Sequence, residues 1–251
     1  LTDSGCFQVF SLGENSKIKS NGVEFKSHLD GSKHFFTPEK AIEIQRQLGA
    51  DIIMAFDECT PDKADPKYTD EALDRTHQWA RQCFNYWEKH SRKSAQGHYQ
   101  ALFGIIQGAM HSDLRKKSAR FITSLDFDGI AVGGETTGYN MAGTGEVMEW
   151  IEPLLPENKP RYAMGLGRDP QDLIDAVNMG FDMFDCVGPT RLARNGALYH
   201  GHLEQDQDEF KFVSELKNGR LSIGRSEFKT DDEVIMKGCD CYTCQSGYTR
   251  A

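Results

Sequence analysis

The sequence contains no long run of apolar residues and no excess of positive charge. In 251 residues, no segment approaches the roughly 20 apolar residues that a membrane-spanning helix requires, so we predict no membrane span. The 29 lysine and arginine residues are outnumbered by 38 acidic residues, which gives a formal net charge of −9. This deficit argues mildly against a nucleic-acid partner, although a local basic surface would be enough to bind one.

Four groups of basic residues could form such a local surface. Each of them, taken alone, is more simply explained as a solvated face of the protein. The groups are Lys89/Arg92/Lys93, Arg115/Lys116/Lys117, Arg191/Arg194 and Lys217/Arg220/Arg225/Lys229.

Cysteine is scarce, and its count is odd. Of the seven cysteines, three cluster at positions 239, 241 and 244, and the others are scattered. Such a set argues against a disulfide framework and favours a reduced, cytoplasmic environment with one metal site. The chain also begins at Leu1 with no methionine, so we expect it to be an internal part of a longer protein.

Short apolar segments alternate with longer amphipathic segments along most of the chain. This alternation predicts an α/β fold with a parallel sheet and crossover helices. The nearly continuous apolar strands favour a (β/α)8 barrel of the TIM type over the alternative, a doubly wound sheet. Thr37 and Asp169 are predicted N-caps, each before a proline. The predicted strands are 52–56, 102–106, 129–132, 161–164 and 183–187, and the predicted helices are 38–48, 70–89, 112–125, 145–155 and 170–179.

Reactive or small residues follow each predicted strand. Barrel enzymes build their sites at the carboxyl ends of the strands, and glycines there let a ligand approach the backbone. A purely structural barrel would also have glycines in its loops, so each segment alone is weak evidence for a site. Five such segments, each directly after a predicted strand, do predict one. The segments are Asp-Glu-Cys-Thr at 57–60, Gln-Gly at 107–108, Gly-Gly-Glu-Thr-Thr-Gly at 133–138, Gly-Leu-Gly at 165–167, and Asp185.

The last of these segments combines an apolar run, a carboxylate and two arginines. Asp185 ends the run, Gly188-Pro189 is expected to break any regular element, and Arg191 and Arg194 follow in a polar stretch. This is how a strand carrying a reactive carboxylate into a phosphate-binding cleft would look. Alone, these residues could equally form a helix-to-loop transition with a capping aspartate and solvated arginines. The other strand ends favour the first interpretation.

The pattern changes at about residue 198. From there, short strand-like and turn-like segments replace the alternation of strands and helices. We therefore predict a barrel domain over 1–197, lacking its N-terminal part, and an insertion with a small zinc-binding subdomain over 198–251, incomplete at its C-terminus.

Three cysteines form a C-x-C-x-x-C cluster near the end of the chain. Cys239, Cys241 and Cys244 lie too close together for independent structural roles and suit Zn²⁺, which normally takes four ligands. A site of this kind with no open catalytic acid nearby is structural. The fourth ligand could be His200, His202 or a residue beyond the end of the chain.

A second carboxylate lies near the start of the chain. Alone, Asp3 is more simply explained as the cap of a turn. Paired with Asp185, it would form two carboxylates at strand ends of one barrel. Such pairs carry out displacement at the anomeric carbon of a sugar, where one attacks and the other handles the proton of the departing group.

Seven motifs follow one another from residue 3 to residue 244. They are DSGCFQ at 3–8, FDECT at 56–60, GIIQG at 104–108, AVGG at 131–134, YAMGLG at 162–167, FDCVGPTRLARNG at 184–196 and CxCxxC at 239–244. Several of these motifs are unremarkable alone, but together they are very specific. The set resembles that of the tRNA-guanine transglycosylases (queuine tRNA-ribosyltransferases) of the bacterial type.

The resemblance implies a barrel enzyme that replaces guanine at the anticodon wobble position (34) of tRNA with a 7-deazaguanine, in queuosine biosynthesis. It implies a homodimer, a covalent ribosyl-aspartate intermediate, and a further histidine as the fourth ligand of a structural zinc ion. It also implies roles for individual residues: Asp185 as nucleophile, Asp3 as general acid/base, Phe7, Asp57, Cys59, Gln107, Gly134, Glu135 and Met164 in base binding, Arg191 and Arg194 in RNA binding, and Cys239, Cys241 and Cys244 as zinc ligands.

The residue types fit this chemistry without reference to the family. A flipped base needs a flat apolar slot, which Phe7 and Met164 could form. The Asp57 carboxylate could accept hydrogen bonds from N1–H and the 2-amino group of guanine, while the Gln107 amide and a glycine N–H could donate to O6. Because two half-reactions would share one ribosyl-enzyme, ping-pong kinetics are expected.

Two segments depart from the family pattern. Cys6 takes the place of a second glycine, so the loop that carries it is expected to flip less readily. The segment Glu-Thr-Thr-Gly-Tyr at 135–139 borders the 7-substituent of the incoming base. Glu135 could pair with an aminomethyl cation and favour preQ1, whereas Thr137 could admit the larger queuine. The preference for preQ1 is slight.

Three other functions are compatible with parts of the sequence. A non-catalytic tRNA-binding partner subunit would keep the metal and the basic surface, but the presence of both Asp3 and Asp185 argues against it. A second enzyme would insert the deazaguanine into DNA. A barrel glycosidase acting on free sugars would explain the carboxylates but neither the cysteines nor the Arg191/Arg194 pair.

Overall fold

The computed structural model describes residues 1–7, 16–207 and 209–251, with the side chains of residues 136 and 138 left out. Gln8 of the first motif lies outside the described residues. The strands are β1 (Ser16–Lys19), β2 (Gly22–Lys26), β3 (Lys33–Phe36), β4 (Ile52–Met54), β5 (Ala101–Ile106), β6 (Gly129–Val132), β7 (Arg161–Ala163), β8 (Met183–Phe184), β9 (Ala197–Tyr199), β10 (His202–Asp206), β11 (Glu209–Val213) and β12 (Arg220–Ser222). The α-helices are α1 (Pro38–Leu48), α2 (Pro66–Lys89), α3 (Ser112–Thr123), α4 (Glu135–Tyr139), α5 (Met141–Ile151), α6 (Pro170–Asn178), α7 (Gly188–Arg194) and α8 (Tyr242–Gln245).

The main sheet has five parallel strands in the consecutive order β4-β5-β6-β7-β8. At least one helix follows each strand in the chain before the next strand begins. A doubly wound sheet reverses its order at a switch point, whereas a barrel adds each strand beside the last. The order therefore agrees with the predicted barrel and disagrees with the alternative.

The first residues of the chain extend this sheet beyond β4. Thr2 forms a parallel bridge with Ile53, and its N–H donates to the carbonyl of Ile52 at 3.0 Å. Because β4 ends at Met54, this pairing carries Asp3 to the carboxyl edge of the sheet.

The strands of the sheet are buried on both faces, and one face carries a compact apolar cluster. Met54, Phe103, Ile105, Ala131 and Tyr162 form a buried cluster with at most 4% of any of these residues exposed. Phe103 and Ile105 are two positions apart on β5, so they point to the same face. The core thus fixes the register of the strands whose ends carry the polar residues.

Two predicted helix starts are confirmed by their caps. The Thr37 hydroxyl accepts from the backbone N–H of Lys40 at 3.2 Å, and α1 spans the predicted residues. At α6, a carboxylate oxygen of Asp169 accepts from the N–H of Gln171 at 3.1 Å. In both cases the following proline supplies a first-turn residue that has no N–H to satisfy.

Helix α2 begins at Pro66, four positions before the predicted residue 70. The Asp65 carboxylate accepts from the N–H groups of Lys67 and Tyr68, at 3.0 and 3.2 Å. The Asp-Pro pair at 65–66 is therefore the N-terminal signal, because an aspartate cap followed by proline starts a helix without an apolar residue.

Three further elements differ from the sequence-based expectation. Strands β1, β2 and β3 form an antiparallel meander that was not predicted. Residues 135–139 form a short helix where a loop was expected. Gly188-Pro189 ends no element and instead begins α7, since proline fits the first turn of a helix.

The chain divides into two compact units. The first contains residues 1–164 and 179–184, with the meander and the parallel sheet, and the second contains residues 165–178 and 185–251. In the second unit, β9 pairs with β12 and β10 with β11, both antiparallel. The division at residue 197 into a barrel and a zinc-binding subdomain stays a prediction. In the part of the chain that the structure describes, every helix is too short or too polar to cross a membrane.

Candidate active site

Two polar side chains meet at the carboxyl edge of the sheet. Asp57 follows β4 and Gln107 follows β5, and the Gln107 amide Nε2 donates to Asp57 Oδ2 at 2.7 Å. Both residues are buried, with 4% and 3% exposed. Because β4 and β5 are parallel neighbours, their carboxyl ends bring two residues 50 positions apart into one hydrogen-bonded pair.

The surroundings of Asp57 disfavour its charged form. Burial raises the pKa of Asp57 to about 7; the hydrogen bond from Gln107 lowers the pKa, and the negative charge of Asp3 raises it. Near neutral pH, both protonation states of Asp57 are therefore populated, and a ligand that donates hydrogen bonds to the carboxylate would favour the ionised form.

The turn that carries Asp3 is joined to the same loop. Cys6 is buried, and its thiol donates to the carbonyl of Asp57. Asp3 itself is exposed, and its Oδ1 accepts from the N–H of Ser4 at 2.8 Å. Cys6 thus supplies a contact between the segment after Thr2 and the loop after β4.

The second cysteine of this site, Cys59, is an uncharged thiol. Burial, together with the negative charge of Asp57, raises its pKa to about 12. The thiol can therefore line a base-binding site as a weakly polar surface, but it does not supply a thiolate at neutral pH.

The third strand end supplies a glycine turn and an acid. Gly134 has a φ of +120°, a conformation that residues with a side chain rarely adopt. Glu135 begins α4, and its Oε2 accepts from the N–H of Asp62 at 3.0 Å. This contact links the segment after β6 to the loop after β4 through the Glu135 side chain and the Asp62 backbone.

The two residues predicted to enclose the base belong to the first unit. Met164 is partly buried against the core cluster, and its N–H donates to the carbonyl of Val132 at 3.2 Å. Phe7 is 51% exposed. A flat slot between these two side chains stays a prediction.

Asp185 lies directly after the last strand of the sheet, as predicted. Its side chain is exposed, and Oδ1 accepts from the N–H of Gly165 at 2.8 Å. This bond fixes a lone pair of the carboxylate against the loop that follows β7. Asp3 belongs to the first unit and Asp185 to the second, and the convergence of the two carboxylates stays a prediction.

Two arginines share one face of helix α7. Arg191 and Arg194 are three positions apart, and both are exposed. Residues at this spacing are neighbours on a helix surface. The helix therefore presents two guanidinium groups that could bind adjacent phosphates, which agrees with the predicted role but does not test it.

The three predicted metal ligands come together in the second unit. The sulfur atoms of Cys239, Cys241 and Cys244 all lie within 4.8 Å of one another. Tetrahedral zinc with Zn–S bonds near 2.3 Å requires sulfurs about 3.8 Å apart, so the donor set fits a metal ion. A hydrogen bond from the backbone of Cys244 lowers the pKa of the Cys241 thiol, whereas burial raises the pKa of Cys244.

Neither of the histidines considered as a fourth ligand belongs to this cluster. Among the described residues, the group of potential ligands contains the three cysteines alone. His202 instead lies 2.9 Å from Glu204 Oε1, across one face of β10. The described residues therefore bring together three of the four ligands that a closed zinc site would take.

The sequence model of the family described as "Queuine tRNA-ribosyltransferase" matches residues 1–251. The chain belongs to this family. Membership and the consecutive parallel sheet together confirm the predicted TIM-type α/β barrel with a cysteine cluster near the C-terminus.

Named relatives are similar to the chain over nearly all of its length. "Queuine tRNA-ribosyltransferase" of Herpetosiphon aurantiacus is 50% identical over 245 residues, which is 98% of this chain and 56% of the relative. The proteins of that name from Natranaerobius thermophilus and Bacillus subtilis are 49% and 47% identical over 251 residues, the whole chain, and 61% and 59% of the relatives. The chain thus spans less than two thirds of these queuine tRNA-ribosyltransferases.

Two structural features of this family member were not predicted from the sequence. Glu58, between the predicted base-binding residues Asp57 and Cys59, is buried and forms two hydrogen bonds with Arg75, at 2.7 and 3.0 Å. Arg115, which was expected to lie on a solvated face with Lys116 and Lys117, is 0% exposed.

The burial of Arg115 follows from helical spacing. The buried residues of α3 are Arg115, Ser118, Ala119 and Ile122, which stand at positions i, i+3, i+4 and i+7 of one helix face. Neighbours in sequence point about 100° apart on a helix, so Lys117 remains exposed and pairs with Asp70 and Asp74. The periodicity of the small and apolar residues was the signal that identifies Arg115 as an inward-facing residue.

Proposed function

We propose that the full-length protein containing this chain replaces guanine at position 34 of tRNA with a 7-deazaguanine, through a covalent bond between Asp185 and the ribose. The observation that carries this proposal is the buried Asp57–Gln107 pair. It offers a carboxylate and an amide side by side at neighbouring strand ends, in a chain of the queuine tRNA-ribosyltransferase family. These are the groups that the Watson–Crick edge of guanine requires.

The base-binding residues would divide the recognition of this edge between them. The ionised Asp57 carboxylate would accept from N1–H and the 2-amino group. The second amide hydrogen of Gln107 and the N–H of Gly134 would donate to O6. Phe7 and Met164 would stack on the two faces of the ring, and the neutral Cys59 thiol would line its edge.

The exchange would use the two exposed carboxylates in turn. Asp185 attacks C1′ of the ribose, the glycosidic bond breaks, and its electron pair leaves with guanine, which takes a proton from Asp3. The incoming base then gives a proton to Asp3 and attacks C1′, which releases the Asp185 carboxylate. Because the first base leaves before the second reacts, the kinetics would be ping-pong.

Glu135 favours preQ1 as the incoming base. Its carboxylate accepts the N–H of Asp62 through one oxygen and has further lone pairs for an aminomethyl cation. Queuine would place a larger group at this position. Measurement of KM for preQ1 and for queuine decides the preference, and equal or better use of queuine would refute it.

The substitution Asp185→Asn tests the reaction. The variant should lose exchange of labelled guanine into tRNA by at least about a thousandfold, because the amide cannot form the ribosyl intermediate, while tRNA binding in a gel-shift assay stays within about twofold. Asp206→Asn, at an exposed acid of β10, is the matched control and should exchange normally. Unchanged exchange by Asp185→Asn would refute the proposal and favour the non-catalytic partner subunit. Exchange into duplex DNA in preference to tRNA would assign a different polymer.

The remaining components rest on the family and on local chemistry. Cys239, Cys241 and Cys244 would hold a structural zinc ion, and Arg191 and Arg194 would bind anticodon phosphates. All seven cysteines are free, which suits the reducing cytoplasm. The assembly would be a homodimer, as the resemblance to the family implies.

A further inference from the structure

Arg115 is a buried cation that binds backbone oxygens instead of a carboxylate. Its Nε donates to the carbonyl of Ala109 at 2.8 Å, and its Nη1 donates to the carbonyls of Ile106 and Gly133 at 3.0 and 2.8 Å. Burial lowers the pKa of Arg115 to about 10, so the guanidinium stays protonated at neutral pH. Burial of a charge has a large desolvation penalty, which these three hydrogen bonds offset in part.

The three carbonyls surround the residues proposed to read the base. Ile106 directly precedes Gln107 and ends β5, while Gly133 directly precedes Gly134 and follows β6. Ala109 has a φ of 48°, which is unfavourable for a residue with a side chain, and the bond to Arg115 helps to hold it there. One guanidinium therefore fixes the carboxyl ends of two neighbouring strands.

Two buried polar atoms also face a common point beside Gly134. Arg115 Nη2 and Gln107 Oε1 have no hydrogen-bond partner among the described residues. A β-carbon at position 134 would lie 2.7 Å from Arg115 Nη2 and 3.5 Å from Gln107 Oε1. A glycine is thus required where the guanidinium approaches the base-reading segment.

We propose that Arg115 is a positioning residue that makes the site select a 6-oxo purine over a 6-amino purine, an inference that rests on the proposed function. It acts through Gln107 and Gly134, whose donors it holds in place to meet one ligand oxygen. Its buried positive charge also favours a carbonyl oxygen at this edge and disfavours an amino group, whose hydrogens are positive.

The test compares two bases and three variants of the full-length protein. Dissociation constants for guanine and for 2,6-diaminopurine, which carries an amino group in place of O6, are measured by calorimetry without tRNA. The variants are Arg115→Met, Arg115→Lys and the control Arg120→Met, which makes the same change at an exposed position of the same helix. Thermal unfolding of each variant reports whether it is folded.

We expect Arg115→Met to weaken guanine binding about tenfold and 2,6-diaminopurine binding less than about twofold, because only the first base needs donors held at O6. Arg115→Lys keeps the charge but not the three-bond geometry, so the same selective loss should be about threefold. It carries the test if Arg115→Met does not fold. Arg120→Met should change neither constant.

The outcomes separate this inference from the proposed function. Equal losses for the two bases, or no loss in folded variants, would overturn the positioning role and leave Arg115 as a support of the fold. Failure of the unsubstituted protein to bind guanine would instead overturn the proposed function, and the inference with it.

Discussion

At the scale of single residues, Asp57 is a buried carboxylate whose proposed role requires charge. Burial places its pKa at about 7, whereas an aspartate in an unfolded chain titrates near 3.9. The folded protein therefore holds a proton on Asp57 over a pH range in which the unfolded chain has released it. A ligand that donates hydrogen bonds to the Asp57 carboxylate would stabilise its ionised form and offset the cost of its burial.

The substitution Asp57→Asn should reveal this proton. Because the folded-state pKa is raised, the contribution of Asp57 to the free energy of unfolding is complete below about pH 4 and is lost as the pH rises to about 7. The asparagine variant has no such loss, so it should match the unsubstituted protein near pH 4 and exceed it by a few kcal/mol at pH 8. Urea denaturation at several pH values measures the difference, and a difference that does not vary with pH would contradict the assignment.

At the scale of structural elements, one buried ion pair connects the loop after β4 to helix α2. Glu58 accepts from Arg75 and from the hydroxyl of Tyr68 at 2.8 Å, and its N–H donates to the hydroxyl of Thr76 at 3.0 Å. Its side chain is 2% exposed, compared with 23% for Arg75. The Glu58 network therefore adds an anchor on helix α2 to the loop that carries the neighbouring Asp57 and Cys59.

Removal of the Glu58 charge should destabilise the protein strongly. Glu58→Gln leaves the Arg75 guanidinium without its counter-charge, and the loss of one partner of a buried pair costs about 3 kcal/mol. The matched control is Glu88→Gln, which breaks a surface pair with Arg92 at the other end of α2 and should cost less than about 1 kcal/mol. Chemical denaturation gives both values. Similar losses for the two variants would show that the Glu58 network does not anchor the loop.

At the scale of the whole molecule, the parallel sheet and the cysteine cluster belong to different compact units. The sheet is held by an apolar core, whereas the segment around the cysteines is mostly exposed. Small segments with little buried apolar surface usually depend on a metal or on disulfides for their order. The stability of the two units should therefore respond differently to loss of metal.

Removal of the metal should affect the second unit selectively. After treatment with a chelator, amide hydrogen exchange of residues 234–250 should speed up by at least about tenfold, because binding free energy becomes local folding free energy. Exchange in β4, β5 and β6 should stay within about twofold, since their protection comes from the core. Addition of Zn²⁺ should restore the protection. Equal acceleration in both units would show that the metal supports the whole chain.

The elements that could be predicted from the sequence are those with a regular hydrophobic period or a capping residue at the helix start. The strands over 101–106 and 129–132 and the helix over 38–48 agree with expectation to within a residue. The antiparallel meander was not predicted because β1 is almost wholly exposed and has the sequence Ser-Lys-Ile-Lys, which has no apolar face. The location of Asp57 and Gln107 at the carboxyl edge of the sheet could be predicted, because both residues follow predicted strands. The hydrogen bond between them could not, because it depends on the side-chain geometry of two residues that are distant in sequence.

The prediction for Arg115 was wrong because it relied on the charge of the residue and not on its position on the helix. Arg115 was grouped with two lysines because all three are basic, although it lies on the face of Ser118 and Ile122. A carboxylate is the usual partner expected for a buried arginine, and the sequence gives no sign that backbone carbonyls take its place. The ion pair of Glu58 could not be predicted either, because its partner Arg75 is 17 positions away in sequence.

The order of the parallel sheet has a consequence for the way this chain is made. Because each strand lies beside the one before it, a ribosome releases every strand of 52–184 after its neighbour has already left the exit tunnel. Each strand after β4 can pair at once with the strand before it, and its other edge stays unpaired only until the next strand is translated. The exposed edge of the growing sheet is therefore a single strand edge, which limits aggregation of nascent chains. The three clustered cysteines emerge afterwards, so any metal ion that they bind can be captured only after all strands of this sheet have been translated.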